Sequence, residues 1–275
     1  MPLSHSDTVR LLSEIGQNPR QSLGQNFLVD GNIVEKSVSL AQVQPGDTVV
    51  EIGPGLGTLT RALLAAGAEV FAVELDLKLH AHLQRTLAQE YAERFHLMQG
   101  DAVDFPLAAL PQGRPFKVVA NLPYAISTPW MEALFAHSPL PSRMVLMLQS
   151  EAAERYMAMP GTKNFGAISI FVQAAFVRQP GHKVSRACFH PRPEVDSQLL
   201  HLARREDARI LSEVTRKTMR KVFQQRRKQL AALCRGDAPL EAWLARLVAD
   251  KAVDPRTRPE ALPLDCWMLL EEHMQ

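Results

Sequence analysis

From residue 48 onward the chain alternates short apolar runs with helix-length amphipathic segments, and this rhythm restricts the fold more than any other feature. "TVVEIG" (48–53) reads as a buried strand and "TLTRALLAA" (58–66) as a helix. "EVFAVELD" (69–76) is a second strand, and "LKLHAHLQRTLAQE" (77–90) a helix with Leu83 and Leu87 on one face. A third strand lies within "FHLMQGDAVDF" (95–105), a fourth within "FKVVANLP" (116–123) and a fifth within "SRMVLMLQ" (142–149), before a helix through 151–158. Strands separated by helix-length connections pair in parallel, so the pattern predicts an open α/β sheet. Two later segments, "AISIFVQAAF" and "SQLLHLAR", are expected to add edge strands.

Residues 1–48 form a polar lead-in with a helix expected over 32–41. The composition changes at "ARREDA" (203–208); helical patterns follow at 207–235 and 239–250, then a Pro-punctuated tail. The reading is an α/β domain over 1–204 and a small all-helical domain over 205–275, and the length suffices for one large core and a smaller unit. No run of about 18 apolar residues occurs, which argues against a membrane span. The N-terminus lacks a basic start followed by an apolar block, so no signal peptide is read there. Cys188, Cys234 and Cys266 show no CxxC spacing. A reduced, cytoplasmic protein without a structural metal is expected, and no apolar seam suggests anything beyond a monomer.

The turn after the first strand, "VVEIGPGLG", carries Gly53, Gly55 and Gly57. Glycines there let a ligand approach the backbone without meeting a Cβ. The spacing is GxGxG, and Thr58 stands where a dinucleotide fingerprint wants its third glycine, which counts against NAD and FAD. Glu74 ends the second strand seventeen residues after Gly57, placed to accept the hydroxyls of a ribose. Asp76 would point the same way, but Glu74 closes the apolar run. Asp101, in "QGDAVDF" at the end of the third strand, suits an adenine amino group. Polar features at three strand ends converge on one crevice in an open α/β sheet. Together these residues resemble S-adenosylmethionine-dependent methyltransferases. The resemblance implies a Rossmann-like sheet, with Glu74 on the donor's ribose, Asp101 on its adenine, the Gly53 backbone near its methionine part, and Gly55 as a further donor contact.

"VVANLPYAIS" (118–127) then ends an apolar strand on an amide and sets a tyrosine beside it. Adenine's exocyclic amine is a poor nucleophile because its lone pair is delocalised into the ring. Two acceptors on the amine protons would localise that pair, and in-line presentation to a methyl donor then does most of the catalysis. Asn121 offers a side-chain carbonyl and Leu122 a backbone one. Pro123 biases Leu122 toward an extended geometry, and Tyr124 can stack on the base, a contact worth about 1–3 kcal/mol. To reach such a pocket the base must leave its stack. A plain turn with a packed tyrosine is the competing explanation, weakened by the glycine turn upstream.

"NLPY" resembles the signature of the enzymes that methylate adenine in ribosomal RNA. "SLGQNFLVD" (22–30) resembles their N-terminal motif, which closes over the donor, and implies that Asn26 and Leu28 touch its methionine end, while Asn121 is a further donor-contact candidate. "MLQSEAAERYMA" and "FHPRPEVDS" (189–197) match later motifs of the family. "GPGLGTLT" and "NLPY" resemble the branch that dimethylates two adjacent adenosines near the 3′ end of small-subunit RNA. The branch acting on large-subunit RNA, which confers macrolide resistance, usually shows a "GSGKG"-like turn and "NIPY". Ser150, Ser185, Arg186 and Glu194 depart from the commoner lysines and prolines, which leaves RNA contacts open rather than chemistry.

Net charge is only +2, but no acid occurs between Glu154 and Glu194, and residues 215–230 hold seven basic residues and no acid. Such clusters suit phosphates, because Lys and Arg release counterions from nucleic acid. Arg226, Arg227 and Lys228 are the RNA-binding candidates, with small-subunit RNA or a pre-assembled small subunit as the expected partner. A non-catalytic RNA-binding factor that has kept the fold is the alternative of another class.

Overall fold

The computed structural model describes residues 3–19 and 24–274. Ser22 and Leu23 of "SLGQNFLVD" lie outside the described residues. The described strands are Phe27–Leu28 (β1), Thr48–Ile52 (β2), Glu69–Glu74 (β3), Phe95–Gln99 (β4), Lys117–Asn121 (β5), Arg143–Gln149 (β6), Phe176–Val184 (β7), Phe189–His190 (β8) and Ser197–Arg204 (β9). Seven of them form one sheet in the order β4-β3-β2-β5-β6-β9-β7. Pairing is parallel from β4 through β6, and β9 runs antiparallel to β6.

Central β2 is buried along its whole length, as expected of a strand covered on both faces of a parallel sheet. Val50 sits opposite Phe71 of β3 and Val118 of β5. The chain lays β3 and β4 on one side of β2, then crosses to place β5 on the other. That reversal opens a crevice at the carboxyl ends of β2 and β5, where open α/β sheets bind ligands.

The helices before residue 157 are His5–Glu14 (α1), Gly31–Leu40 (α2), Thr58–Ala65 (α3), Leu77–Arg85 (α4), Leu87–Glu90 (α5), Ser127–Leu134 (α6) and Ser150–Tyr156 (α7). Val34, Leu63, Leu64, Leu83 and Leu87 pack with Val49, Val70 and Val119 into one buried cluster. Two helix starts are fixed by aspartates that accept from first-turn N–H groups: Asp30 for α2 and Asp76 for α4, the usual satisfaction of orphan donors.

Some local expectations change. Residues 167–175 form a helix, Ala167–Ala175 (α8), rather than an edge strand. Eight of its nine residues are buried, and a run apolar on all sides carries no period to separate helix from strand. The edge strand is instead β7, "FVRQPGHKV", whose Pro180 and Gly181 disguise it yet are tolerated at a sheet edge. The lead-in also contains α1, capped by Ser4 and Asp7 and burying Thr8 and Leu12. The long helix expected over 77–90 breaks at Thr86, whose ψ is −88°.

The chain folds as two compact units, 1–153 with 178–204 and 154–177 with 205–275. Breaks between the units fall at 153/154 and 177/178 as well as at the expected 204/205, because α8 packs with the later helices Glu213–Gln224 (α9) and Leu264–Met268 (α12). Leu230–Cys234 (α10) and Ala238–Lys251 (α11) complete that unit. Its core holds Trp243 and Trp267 with ring centroids 5.2 Å apart, and the Trp243 indole N–H donates to the Cys266 carbonyl at 3.0 Å. Among the described residues no helix is long and apolar enough to cross a membrane.

Candidate active site

At the switch point lies a cavity of about 320 Å³, lined by the turn after β2, the ends of β3 and β4, the turn after β5, and residues 24–28. Asn26, Leu28, Gly53, Gly55, Glu74, Asp101, Asn121, Leu122, Pro123 and Tyr124 all border it.

The glycine turn is shaped by its neighbours. Gly55 has φ +62°, and a Cβ there would stand 3.2 Å from the Phe27 ring, so a side chain would meet a strained backbone angle and press on Phe27. A Cβ at Gly53 would stand 3.4 Å from the Pro123 ring, so the turns after β2 and β5 face each other closely. The Gly55 N–H donates to one Glu74 oxygen at 3.0 Å, and the Asp76 N–H to the other at 2.9 Å. Glu74 is 5% exposed. Burial raises its carboxyl above the ordinary range, the N–H donors oppose that rise, and the Asp76 charge adds to it.

Asp76 serves the protein rather than the cavity alone. It caps α4 through the Lys78 and Leu79 N–H groups and accepts from the Gln17 amide at 2.8 Å. Asp101 closes an Asx turn by accepting from the Val103 N–H at 2.8 Å. Gly100 and Ala102 flank it on the cavity wall.

On the opposite wall, β5 ends at Asn121, and the Leu122 N–H makes a further bond to the Met147 carbonyl at 3.3 Å. Pro123, without an N–H, cannot extend the ladder; its φ of −55° leads into a short 3-10 turn over Tyr124–Ile126. The Asn121 amide donates to the Asn26 carbonyl at 2.9 Å. Leu122 borders the cavity and is 1% exposed. The Tyr124 hydroxyl lies 2.8 Å from the Ser197 hydroxyl. Burial lifts the phenol above its usual range, and the bond to Ser197 works against that.

Several residues of this site carry no signal in the sequence that marks them out. Glu51 borders the cavity, 1% exposed, with one carboxylate oxygen lacking a hydrogen bond among the described residues. Burial pushes its carboxyl up to about 8, helped by the nearby Glu74 and opposed by Thr60. Its place within the apolar strand hides it. Phe27 and Ser197 lie inside recognised motifs without an expected role. In the helical unit, the Arg226 Nε donates to Glu260 at 2.6 Å, while Arg227 and Lys228 are exposed; the three basic candidates are therefore not equivalent.

A crevice with two buried acids and a glycine turn on one wall, and an amide-bearing turn on the other, is that of a Rossmann-like methyltransferase. The ribosomal RNA adenine dimethylase family matches over residues 16–253, and the chain belongs to it. It is 57% identical to the ribosomal RNA small subunit methyltransferase A of Opitutus terrae, covering 98% of this chain and 99% of that one. The protein of the same name from Moorella thermoacetica is 40% identical over 98% and 96% of the two chains. The crystal structure of a dimethyladenosine transferase from Plasmodium falciparum superposes with a TM-score of 0.71 at 25% identity, covering 89% of this chain and 95% of that one.

Proposed function

We propose that this chain transfers methyl groups from S-adenosylmethionine to the exocyclic amines of two adjacent adenosines near the 3′ end of small-subunit ribosomal RNA, giving dimethyladenosine. The observation that carries the reading is that the Asn121–Tyr124 turn and the acids Glu74 and Asp101 border one cavity. Its volume, about 320 Å³, lies in the range of about 300–1,000 Å³ usual for small-molecule sites.

The residues present fit the donor. Its ammonium and ribose hydroxyls are hydrogen-bond donors, and the cavity wall offers the buried carboxyl groups of Glu51 and Glu74, that of Glu51 with an oxygen unpaired within the described residues. Glu74 would hold the ribose, Asp101 the adenine amine, and Asn26, Leu28, Asn121 and the Gly53–Gly55 backbone the methionine part. When bound, the donor supplies an electrophilic methyl on a sulfonium.

Asn121 and the Leu122 carbonyl accept the two protons of the target amine and turn its lone pair toward the cavity. Tyr124 stacks the flipped base. No strong general base is required, because a methylated aminium is acidic and loses its proton to water. The second methylation demands that the same acceptors admit the singly methylated amine.

The test incubates the purified chain with labelled S-adenosylmethionine and unmethylated small subunits, with large subunits in parallel, and identifies the product nucleosides by mass. Dimethyladenosine from the small subunit alone is the expected result. Label confined to the large subunit would move the chain to the macrolide-resistance branch. No label, with donor bound, would favour a binding factor.

A further inference from the structure

Tyr124 is held at its backbone and at the tip of its side chain. At its root, the Ser127 hydroxyl donates to the Tyr124 carbonyl at 3.1 Å, and Gly24 approaches so closely that a Cβ there would stand 3.1 Å from the Tyr124 nitrogen. At its tip, the phenol meets Ser197 at 2.8 Å. Ser197 is 1% exposed and opens β9 opposite Gln149.

The seat under Ser197 is itself fixed from both sides. The Asp196 carbonyl accepts from the Ser150 N–H at 3.3 Å and from its hydroxyl at 3.2 Å, and the Gln198 amide donates to the Ser150 carbonyl at 3.3 Å. The Arg186 N–H donates to the Asp196 carboxylate at 2.9 Å. A hydroxyl on so anchored a strand is a fixed point for a tyrosine, whose ring has only two side-chain torsions to restrain.

We infer that Ser197 is a positioning residue for the acceptor base: by holding the Tyr124 hydroxyl it sets the tilt of the aromatic face on which the target adenine stacks. This rests on the reading of Tyr124 as the stacking platform. A ring free at its tip samples tilts in which the amine no longer meets Asn121 and Leu122 together, and near-attack geometry is sensitive to small misplacements. The burden falls on the acceptor side, because Glu74 on the donor side is held by other bonds.

The experiment compares Ser197→Ala, Tyr124→Phe, their double variant and Ser197→Thr for kcat and KM with unmethylated small subunits, and for donor affinity by calorimetry. Ser197→Ala is expected to lower kcat/KM for the subunit by about three- to tenfold, what the net free energy of one hydrogen bond supports, with donor affinity unchanged. Tyr124→Phe deletes the same bond from the other end, so the double variant should be no worse than either single one. Ser197→Thr keeps the hydroxyl and should restore the rate. Losses that multiply in the double variant, or donor affinity that falls in parallel, would overturn the inference in favour of a general structural role. Tyr124→Ala separates the platform from its tether: if it turns over normally, the platform reading itself fails. If it is impaired while Ser197→Ala and Tyr124→Phe match the parent, only the tether fails.

Discussion

The Asn121 side chain donates to the Asn26 carbonyl across 2.9 Å, joining segments 95 residues apart. A carbonyl only accepts, so the amide NH₂ must face Asn26, leaving Oδ1 as the side chain's available acceptor. The bond therefore does two things: it holds the segment around Asn26 against the end of β5, and it orients the group proposed to accept from the target amine. Asn121→Ala is expected to lose roughly 1.5–3 kcal/mol or more in turnover while RNA affinity persists. Asn121→Asp is the sharper probe. Its carboxylate accepts but cannot donate to Asn26, so donor affinity should fall along with kcat. Donor affinity equal to the parent's in the aspartate variant would uncouple the arm from donor binding.

Glu51 makes a pH prediction. Its carboxyl, raised by burial to about 8 in the fold, returns to about 4.3 in the unfolded chain. The folded state then binds the extra proton between those values, so the stability linked to Glu51 is complete at low pH and declines as pH rises toward 8. Glu51→Gln has the same shape without the titration. Its melting temperature should exceed the parent's by a margin that widens from pH 5 to pH 8. A margin constant across that range would mean that Glu51 is ionised in the fold throughout.

Gly57 tests the turn's geometry against simple backbone strain. It begins α3 at φ +80°, and a Cβ there would lie 2.5 Å from a Leu87 methyl and 2.9 Å from one of Leu83. Gly46 has φ +86° with nothing within 4 Å. Gly46→Ala should cost about 1–2 kcal/mol from the left-handed angle alone. Gly57→Ala should cost about 1–3 kcal/mol more, because it also overpacks the core against α4 and α5. Denaturant midpoints at unchanged slope measure the difference; equal losses would show that the leucines simply move aside.

What is legible in the sequence follows its periodicities. β2, β3, β5 and β6 are visible because parallel strands buried on both faces are runs of Val, Ile, Leu and Met. The site's polar residues are visible because they interrupt those runs at the carboxyl ends. α8 reads as a strand because an all-apolar run has no phase, and β7 escapes notice because an edge strand tolerates proline and charge. Glu51 is hidden for the opposite reason to Glu74: it lies inside the run, and only the fold shows that its carboxyl borders the cavity. Ser197 cannot be assigned from spacing, since its partner Tyr124 is 73 residues away.

The basic stretch after α9 yields the last prediction. Arg226 is engaged by Glu260, whereas Arg227 and Lys228 are exposed. A cation already paired releases few counterions when RNA arrives, so phosphate binding should fall to the other two. Replacing Arg227 and Lys228 with alanine should weaken subunit binding and reduce the slope of log affinity against log salt by about 0.7–0.9 for each phosphate no longer neutralised. Arg226→Ala should leave that slope in place and instead cost about 0.2–1 kcal/mol of stability, the range of a partly exposed ion pair. Filter-binding titrations across salt concentrations, beside thermal melts, separate the outcomes. A slope that falls only in the Arg226 variant would mean that Glu260 yields its partner to RNA, and that Arg227 and Lys228 are solvated bystanders.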